Sequence, residues 1–376
     1  MIYFDNAATT RCYKASVEML AKYSETFFYN PSAMYTQGIA IRNDMQRVRD
    51  YILKSLNADG NIIFTSSGTE ADNLALLGIK KKHGARIIIS ASEHLAVYNT
   101  ANILKQRGYD LVLCPVNEVG TVRMDMFEKL LTKETALVSI MHVNNETGGI
   151  NDIEVLSQIT KNFEKSIVFH SDGTQAFTKI PINIRNTNVD MYTLSSHKIG
   201  GPKGVGALYV NKGVFLSPIL FGGGQENGLR SSTENVAGIM SFCKSIMIGT
   251  DNLSSKDELV RAINEKIKDA LLQISEIKLL SDSMCSPYIL TFSSKKIRGE
   301  VMQRALENIG IVVGTGSACS SSKKSKRVAE AIGVQDSYKL GIIRLSFSHE
   351  NTLTEAEGFI NAFKKIYKEL TKYDDK

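Results

Sequence analysis

The sequence predicts an α/β protein in which a mostly parallel seven-stranded sheet is flanked by helices and followed by a smaller α+β domain. Two observations carry this prediction. From residue 60 onward short apolar runs alternate with longer amphipathic ones, and strands buried on both faces of a parallel sheet read as unbroken apolar runs. After Thr233 the alternation stops, giving way to a long helical stretch and then to weaker strands.

Taken in order, the seven strands are NIIFT (61–65), RIIIS (86–90), DLVLCPV (110–116), ALVSIMHV (136–143), SIVFH (166–170), DMYTL (190–194) and GALYV (206–210). Helical stretches lie between most of them, at 69–83, 93–107, 125–131 and 152–163. Ligands of such sheets bind beyond the carboxyl ends of the strands. The segments following those ends are SSGTE, EHLAV, NNETGG, SDGTQ and SSHK, so these five are expected to gather along one rim. Helical sequence then runs to about residue 275, with strands at 288–293 and 342–347 and a helix near 299–308. The last helix carries Phe359, Ile360, Phe363, Ile366, Tyr367 and Leu370 on one face, with Thr352 and Glu355 as a capping box at its start. We assign residues 14–254 to the large domain and 255–376, joined by 1–13, to the small one.

Composition excludes several classes. The 376 residues are 43% hydrophobic and 22% charged, the balance of a soluble chain with a sizeable core. A net charge of +6 is slight for this length, and no basic stretch is interleaved with aromatics, so direct nucleic-acid binding is not expected. Cysteines at 12, 114, 243, 285 and 319 form no CxxC pair and no disulfide framework, which points to free thiols and no structural metal. The start, MIYFDNAATT, has neither a secretion signal nor a transit pattern, and the longest apolar candidate, Val236 to Ile248, is broken by Ser241, Lys244 and Ser245. A cytoplasmic location without a membrane span is the expectation.

The chemistry centres on SSHKIGGPKG, Ser195 to Gly204. Its glycines allow close backbone approach to a bulky group, and its hydroxyls and imidazole offer hydrogen bonds to an anion. In a dry pocket the Lys198 ammonium would lose its proton more readily and become a nucleophile toward an aldehyde; a surface turn with a solvated lysine is the other reading. Asp172, at a strand end, suits a protonated pyridine nitrogen or a turn cap. Gly68 and Thr69 open a helix whose exposed amides suit a phosphate, unless Thr69 is merely an N-cap. His94 could stack on a planar group or be structural. Arg344, on an otherwise apolar strand, needs an anion, either a ligand carboxylate or an internal partner. Cys319 stands among glycines and serines with Lys323, Lys324, Lys326 and Arg327 nearby, a setting that favours the thiolate.

These segments also occur together and in a fixed order. DNAATT, SSGTEADNLA, SEHLAV, MHVNNETGG, HSDGTQ, SSHKIGGPKG, GGGQENGLRSST and GSACSS, from about Tyr3 to Phe347, closely resemble the successive motifs of the cysteine desulfurases. These are pyridoxal 5'-phosphate enzymes of the class V, fold type I aminotransferase group. The GSAC form resembles the first desulfurase group, in which the cysteine loop is extended. The resemblance implies Lys198 as the Schiff-base lysine, Asp172 at the pyridine nitrogen, Gln175 at the phenolic oxygen and His94 over the ring. It implies Asn145 at cofactor and substrate, and Arg344 at the substrate carboxylate. Gly68, Thr69, Ser195 and His197 would hold the phosphate, with Thr233 reaching in from the second subunit of a homodimer. The implied reaction removes sulfur from L-cysteine, gives L-alanine and leaves a persulfide on Cys319, with Lys198 and His94 as the other catalytic groups. The sulfur would pass to an acceptor protein, an iron–sulfur scaffold or a tRNA-thiolation enzyme. Another class V enzyme, such as a selenocysteine lyase or a small-substrate aminotransferase, is the nearest alternative. The chain departs from the family pattern at Ser196 (SGHK becomes SSHK), Gly173 (DATQ becomes DGTQ), Tyr35, Gln225 and Asn227.

Overall fold

The computed structural model describes residues 1–315 and 327–372. The chain opens with strand β1 (Ile2–Phe4) and two helices, α1 (Lys14–Glu25) and α2 (Thr36–Ser55). Alternating elements follow: β2 (Gly60–Thr65), α3 (Gly68–Gly78), β3 (Arg86–Ser90), α4 (Leu95–Gln106), β4 (Asp110–Cys114), α5 (Met124–Leu130), β5 (Thr135–Ser139), α6 (Ile153–Phe163), β6 (Val168–Asp172), β7 (Met191–Ser195) and β8 (Gly206–Asn211). Helices α7 (Val236–Thr250) and α8 (Leu253–Leu272) lead to β9 (Ile277–Leu279), β10 (Ile289–Ser294), α9 (Gly299–Glu307) and β11 (Ile311–Thr315). The chain ends in α10 (Arg327–Ala331), α11 (Asp336–Lys339), β12 (Ile342–Ser346) and α12 (Leu353–Thr371).

The large sheet has seven strands in the order β2-β8-β7-β6-β5-β3-β4. All neighbours are parallel except β8, which is antiparallel to both β2 and β7. Because β8 is reversed between two parallel strands, its first residue, Gly206, sits beside Ser195 and Thr65, the last residues of β7 and β2. The smaller sheet runs β1-β11-β12-β10-β9, with β1 from the chain's beginning pairing parallel to β11. Its core, built from residues such as Phe4, Ile263, Phe292, Phe347 and Phe359, is separate from the clusters on the two faces of the large sheet.

Several elements are shorter than the sequence suggests, each for a local reason. The stretch 69–83 is helical only to Gly78, where the Lys81 ammonium folds back onto the carbonyls of Leu76 and Ile79 and so satisfies the helix end. The long helical region after Thr233 is two helices, because Asp251 is extended and Asn252 takes the left-handed conformation with φ 50°. β5 stops at Ser139, after which the chain turns toward β6 and Ile140 and His142 donate to the carbonyls of His170 and Asp172. Helix α12 has the capping box foreseen between Thr352 and Glu355, and Phe359, Phe363, Ile366 and Tyr367 are buried in the smaller core while Ile360 and Leu370 pack at its edge. Helices α1 and α2 had no counterpart in the sequence reading. Yet α2 buries Ile41, Met45, Val48 and Ile52 at helical spacing, a pattern that could have revealed it.

Candidate active site

The carboxyl ends of β2, β3, β5, β6 and β7 open on one cavity of about 380 Å³. The five segments SSGTE, EHLAV, NNETGG, SDGTQ and SSHK all contribute residues to its lining, as does Arg344 from β12.

One end of the cavity is an anion cradle. Ser67, not Thr69, caps α3: its Oγ accepts from the Glu70 amide at 3.1 Å, and Glu70 Oε2 accepts in return from the Ser66 amide at 2.8 Å. This leaves Thr69 exposed in the first turn, beside free amides at the positive end of the helix. A methyl group on Gly68 would stand 3.2 Å from both Ser195 Cβ and Thr174 Oγ1, so the helix start lies tight against β7. His197 completes this end, its Nδ1 3.1 Å from Thr9 Oγ1. Burial lowers its pKa to about 4, with Lys198, Lys203 and Lys179 adding, so the ring is neutral and presents one donor and one acceptor.

The reactive centre lies deeper. Lys198 Nζ donates to the Ala7 and Ala8 carbonyls at 2.7 and 2.8 Å. Burial lowers its pKa to about 8, the Arg344 charge adding to this and Asp172 and Asp5 opposing it. Asp172 is 5% exposed at the end of β6, its Oδ1 accepting from the Thr174 amide at 2.9 Å. His94 is the N-cap of α4, with Nδ1 accepting from the Ala96 amide at 3.1 Å and its ring open to the cavity. The protein packed around it lowers its pKa, with Asp172 opposing and Lys198 and Arg327 reinforcing the effect. Asp72, His94 and Asp172 bring one polar atom each within 4.8 Å of one another. Burial, and then Asp172 beside it, push the Asp72 carboxyl well above the ordinary range.

Arg344 answers the question of what its charge meets. Its Nη2 donates to Asp5 Oδ1 and its Nη1 to the Asn145 carbonyl, each at 2.8 Å, while the buried Nε has no partner among the described residues. An internal partner and a vacant donor thus coexist on one guanidinium, and Asp5 orients it rather than saturating it.

Gly68, Thr69, His94, Asn145, Asp172, Gln175, Ser195, His197, Lys198 and Arg344 all line the cavity. Thr233 does not; it is exposed beside a neighbouring cavity of about 180 Å³ lined by Thr65, Arg230 and Glu234. Cys319 lies outside the described residues. The sequence reading missed Asp5, Asp72, Thr174 and the carbonyls of Ala7 and Ala8. DNAATT was the only signal for the first and last of these, and it carries no indication of which main-chain atoms turn inward.

Chemically, the cavity offers amides and hydroxyls for an anion, a buried carboxylate for a cationic ring nitrogen, an amine of lowered pKa, and a guanidinium in its wall for a carboxylate. That donor set fits a phosphorylated pyridine aldehyde together with an amino acid.

The family model for aminotransferase class V matches residues 2–359. The chain is similar to the cysteine desulfurase IscS of Clostridium botulinum, at 36% identity over 98% of this chain and 94% of that one. It is 38% identical to a NifS/IcsS homologue of Lactobacillus delbrueckii subsp. bulgaricus, over 99% of this chain and 98% of that one. Among solved structures it resembles a NifS-like protein with a TM-score of 0.92 at 33% identity, covering 98% of this chain and 99% of that one. A NifS-like protein of Rickettsia africae gives 0.89 at 32%, with coverage of 98% and 99%.

Proposed function

The chain belongs to the aminotransferase class V family, as a pyridoxal 5'-phosphate-dependent cysteine desulfurase, and we propose how its own residues divide that work. The observation that carries the assignment is the convergence of Lys198, Asp172 and Arg344 on one cavity whose far end is the start of α3. Gly68, Thr69, Ser195 and His197 hold the phosphate. Asp172 faces the pyridine nitrogen, Gln175 the phenolic oxygen, and His94 the ring. Bound there, the cofactor supplies an electron sink for the charge left when the amino acid loses its Cα proton.

Arg344, steadied by Asp5, grips the carboxylate of L-cysteine, and Asn145 lies at the same edge. Lys198 Nζ takes the Cα proton; its lowered pKa makes the free amine available near neutrality. The Cys319 thiolate attacks the substrate sulfur, so that an S–S bond forms as the C–S bond breaks. Lys198 or His94 returns a proton to the organic fragment. L-Cysteine and one enzyme thiol thereby become L-alanine and one persulfide, with no external oxidant. The other four thiols support Cys319 in this role: none lines the cavity, and burial raises the pKa of Cys12, of Cys243 to about 11, and of Cys114 and Cys285 to about 12.

We further propose a cytoplasmic homodimer with Thr233 reaching the partner's phosphate, large and small domains at 14–254 and 255–376 with 1–13, and an iron–sulfur scaffold or tRNA-thiolation enzyme as sulfur acceptor. Among the described residues no helix is long and apolar enough to cross a membrane. The test is direct. The purified protein should show a visible cofactor band and release alanine on addition of L-cysteine. Cys319→Ser should keep the band and lose persulfide. Keto-acid production instead of alanine, or undiminished persulfide in the variant, would overturn the reading.

A further inference from the structure

Lys179 lies in the turn after β6 and is only 7% exposed, yet among the described residues no carboxylate pairs with it. An ammonium buried without a counterion is destabilising unless it meets another need. Burial, and then the charges of Lys198 and Arg344, lower its pKa to about 7. Its partner is Gln175, whose Oε1 accepts from Lys179 Nζ at 2.7 Å. On its other side Gln175 donates from Nε2 to the Ala7 carbonyl at 2.9 Å, and that carbonyl also accepts from Lys198 Nζ.

A glutamine amide can present either end to a neighbour, an acceptor oxygen or a nitrogen with two hydrogens. Below its pKa of about 7 Lys179 is an ammonium, which only donates, so it draws the oxygen to itself and turns the nitrogen the other way. One Nε2 hydrogen is used by Ala7, which leaves a second for the cavity that Gln175 lines. We infer that Lys179 is a positioning residue: by holding Gln175 Oε1 it makes Gln175 a hydrogen-bond donor, not an acceptor, toward the cofactor's phenolic oxygen. The inference rests on the reading that places Gln175 beside that oxygen. A donor there favours the ionised phenolic form, which absorbs at longer wavelength than the neutral one.

The experiment compares the visible band of four holoenzymes at saturating cofactor: wild type, Lys179→Met, Gln175→Ala and the double variant, with near-UV circular dichroism of each as a check on packing. Lys179→Met should move the band to shorter wavelength, in the direction of Gln175→Ala, and cofactor retention on dilution should fall roughly tenfold. In the Gln175→Ala background Lys179→Met should add nothing further. Lys179→Arg, which keeps a donor, should restore the wild-type band, and Lys179→Leu replaces the methionine variant if that chain does not fold. Additive shifts would overturn the proposal, because Lys179 would then act through its own charge. A shift in Gln175→Ala with none in Lys179→Met would overturn it while leaving the role of Gln175 intact. No shift in Gln175→Ala would overturn both.

Discussion

Lys198 is the residue where burial becomes reactivity. At pH 7 a lysine with an ordinary pKa of 10.5 leaves roughly one amine in three thousand unprotonated, whereas at a pKa of about 8 the fraction is roughly one in ten. Its pKa is lowered, so the free amine accumulates as pH rises through 8. Cofactor uptake by the apoprotein should therefore increase about tenfold between pH 7 and 9 and level off above that. A hundredfold rise with no plateau, measured by stopped-flow absorbance, would mean that the amine is solvated. Two departures from the family pattern are also resolved at this scale. A methyl on residue 173 would fall 2.0 Å from the Tyr192 ring, so Gly173 makes room for a tyrosine whose hydroxyl meets His142 Nδ1 at 2.7 Å. Ser196 Oγ would stand 2.1 Å from a methyl on residue 201, so this serine is compatible with glycine at that position. Lys198, Asp172 and His94 were legible as residue types. Asp5 was not, because its ion pair with Arg344 spans 339 positions of sequence.

At the scale of elements, the anion cradle depends on the junction of β2, α3, β7 and β8. A methyl on Gly206 would lie 2.4 Å from the Ser67 carbonyl carbon and 2.8 Å from the Gly68 amide nitrogen. These are backbone atoms and have no rotamer by which to yield. Gly206→Ala should therefore displace the start of α3 and weaken cofactor retention about tenfold, an overpacking cost of ordinary size, while far-UV circular dichroism stays unchanged. Equal retention, measured by equilibrium dialysis, would remove α3 from the phosphate site. The strands of this junction were legible because each is an unbroken apolar run. The reversed direction of β8 was not, since parallel and antiparallel strands buried on both faces carry the same pattern.

For the molecule as a whole, Phe28, Met34, Phe215 and Phe221 are left 65%, 79%, 80% and 80% exposed, more large apolar surface than a lone chain gains from showing. A second copy of the chain is the occupant the proposed dimer supplies. Mixing inactive Lys198→Ala with weakened Thr233→Ala chains should then create hybrid dimers with one intact site. Random mixing would bring activity to about a quarter of the wild type, well above the Lys198→Ala parent. Activity no higher than the average of the two parents, with exchange verified by mass spectrometry, would show that Thr233 serves its own chain or none.

The sequence by itself determined the succession along the chain of the seven large-sheet strands and the helices between them, the rim on which five polar segments meet, and the residue types of the site. These follow from short-range periodicity and from the rule that parallel strands present their carboxyl ends together. Only the tertiary structure decided that the carbonyls of Ala7 and Ala8 receive the Lys198 ammonium, that Asp5 aims Arg344, and that Lys179 turns Gln175. The first two join segments 190 or more positions apart, whereas Lys179 and Gln175 are neighbours in one turn whose buried setting the sequence does not show. Their orientation is set by burial, which drives each buried polar group to find a partner, and no local pattern records which partner it finds.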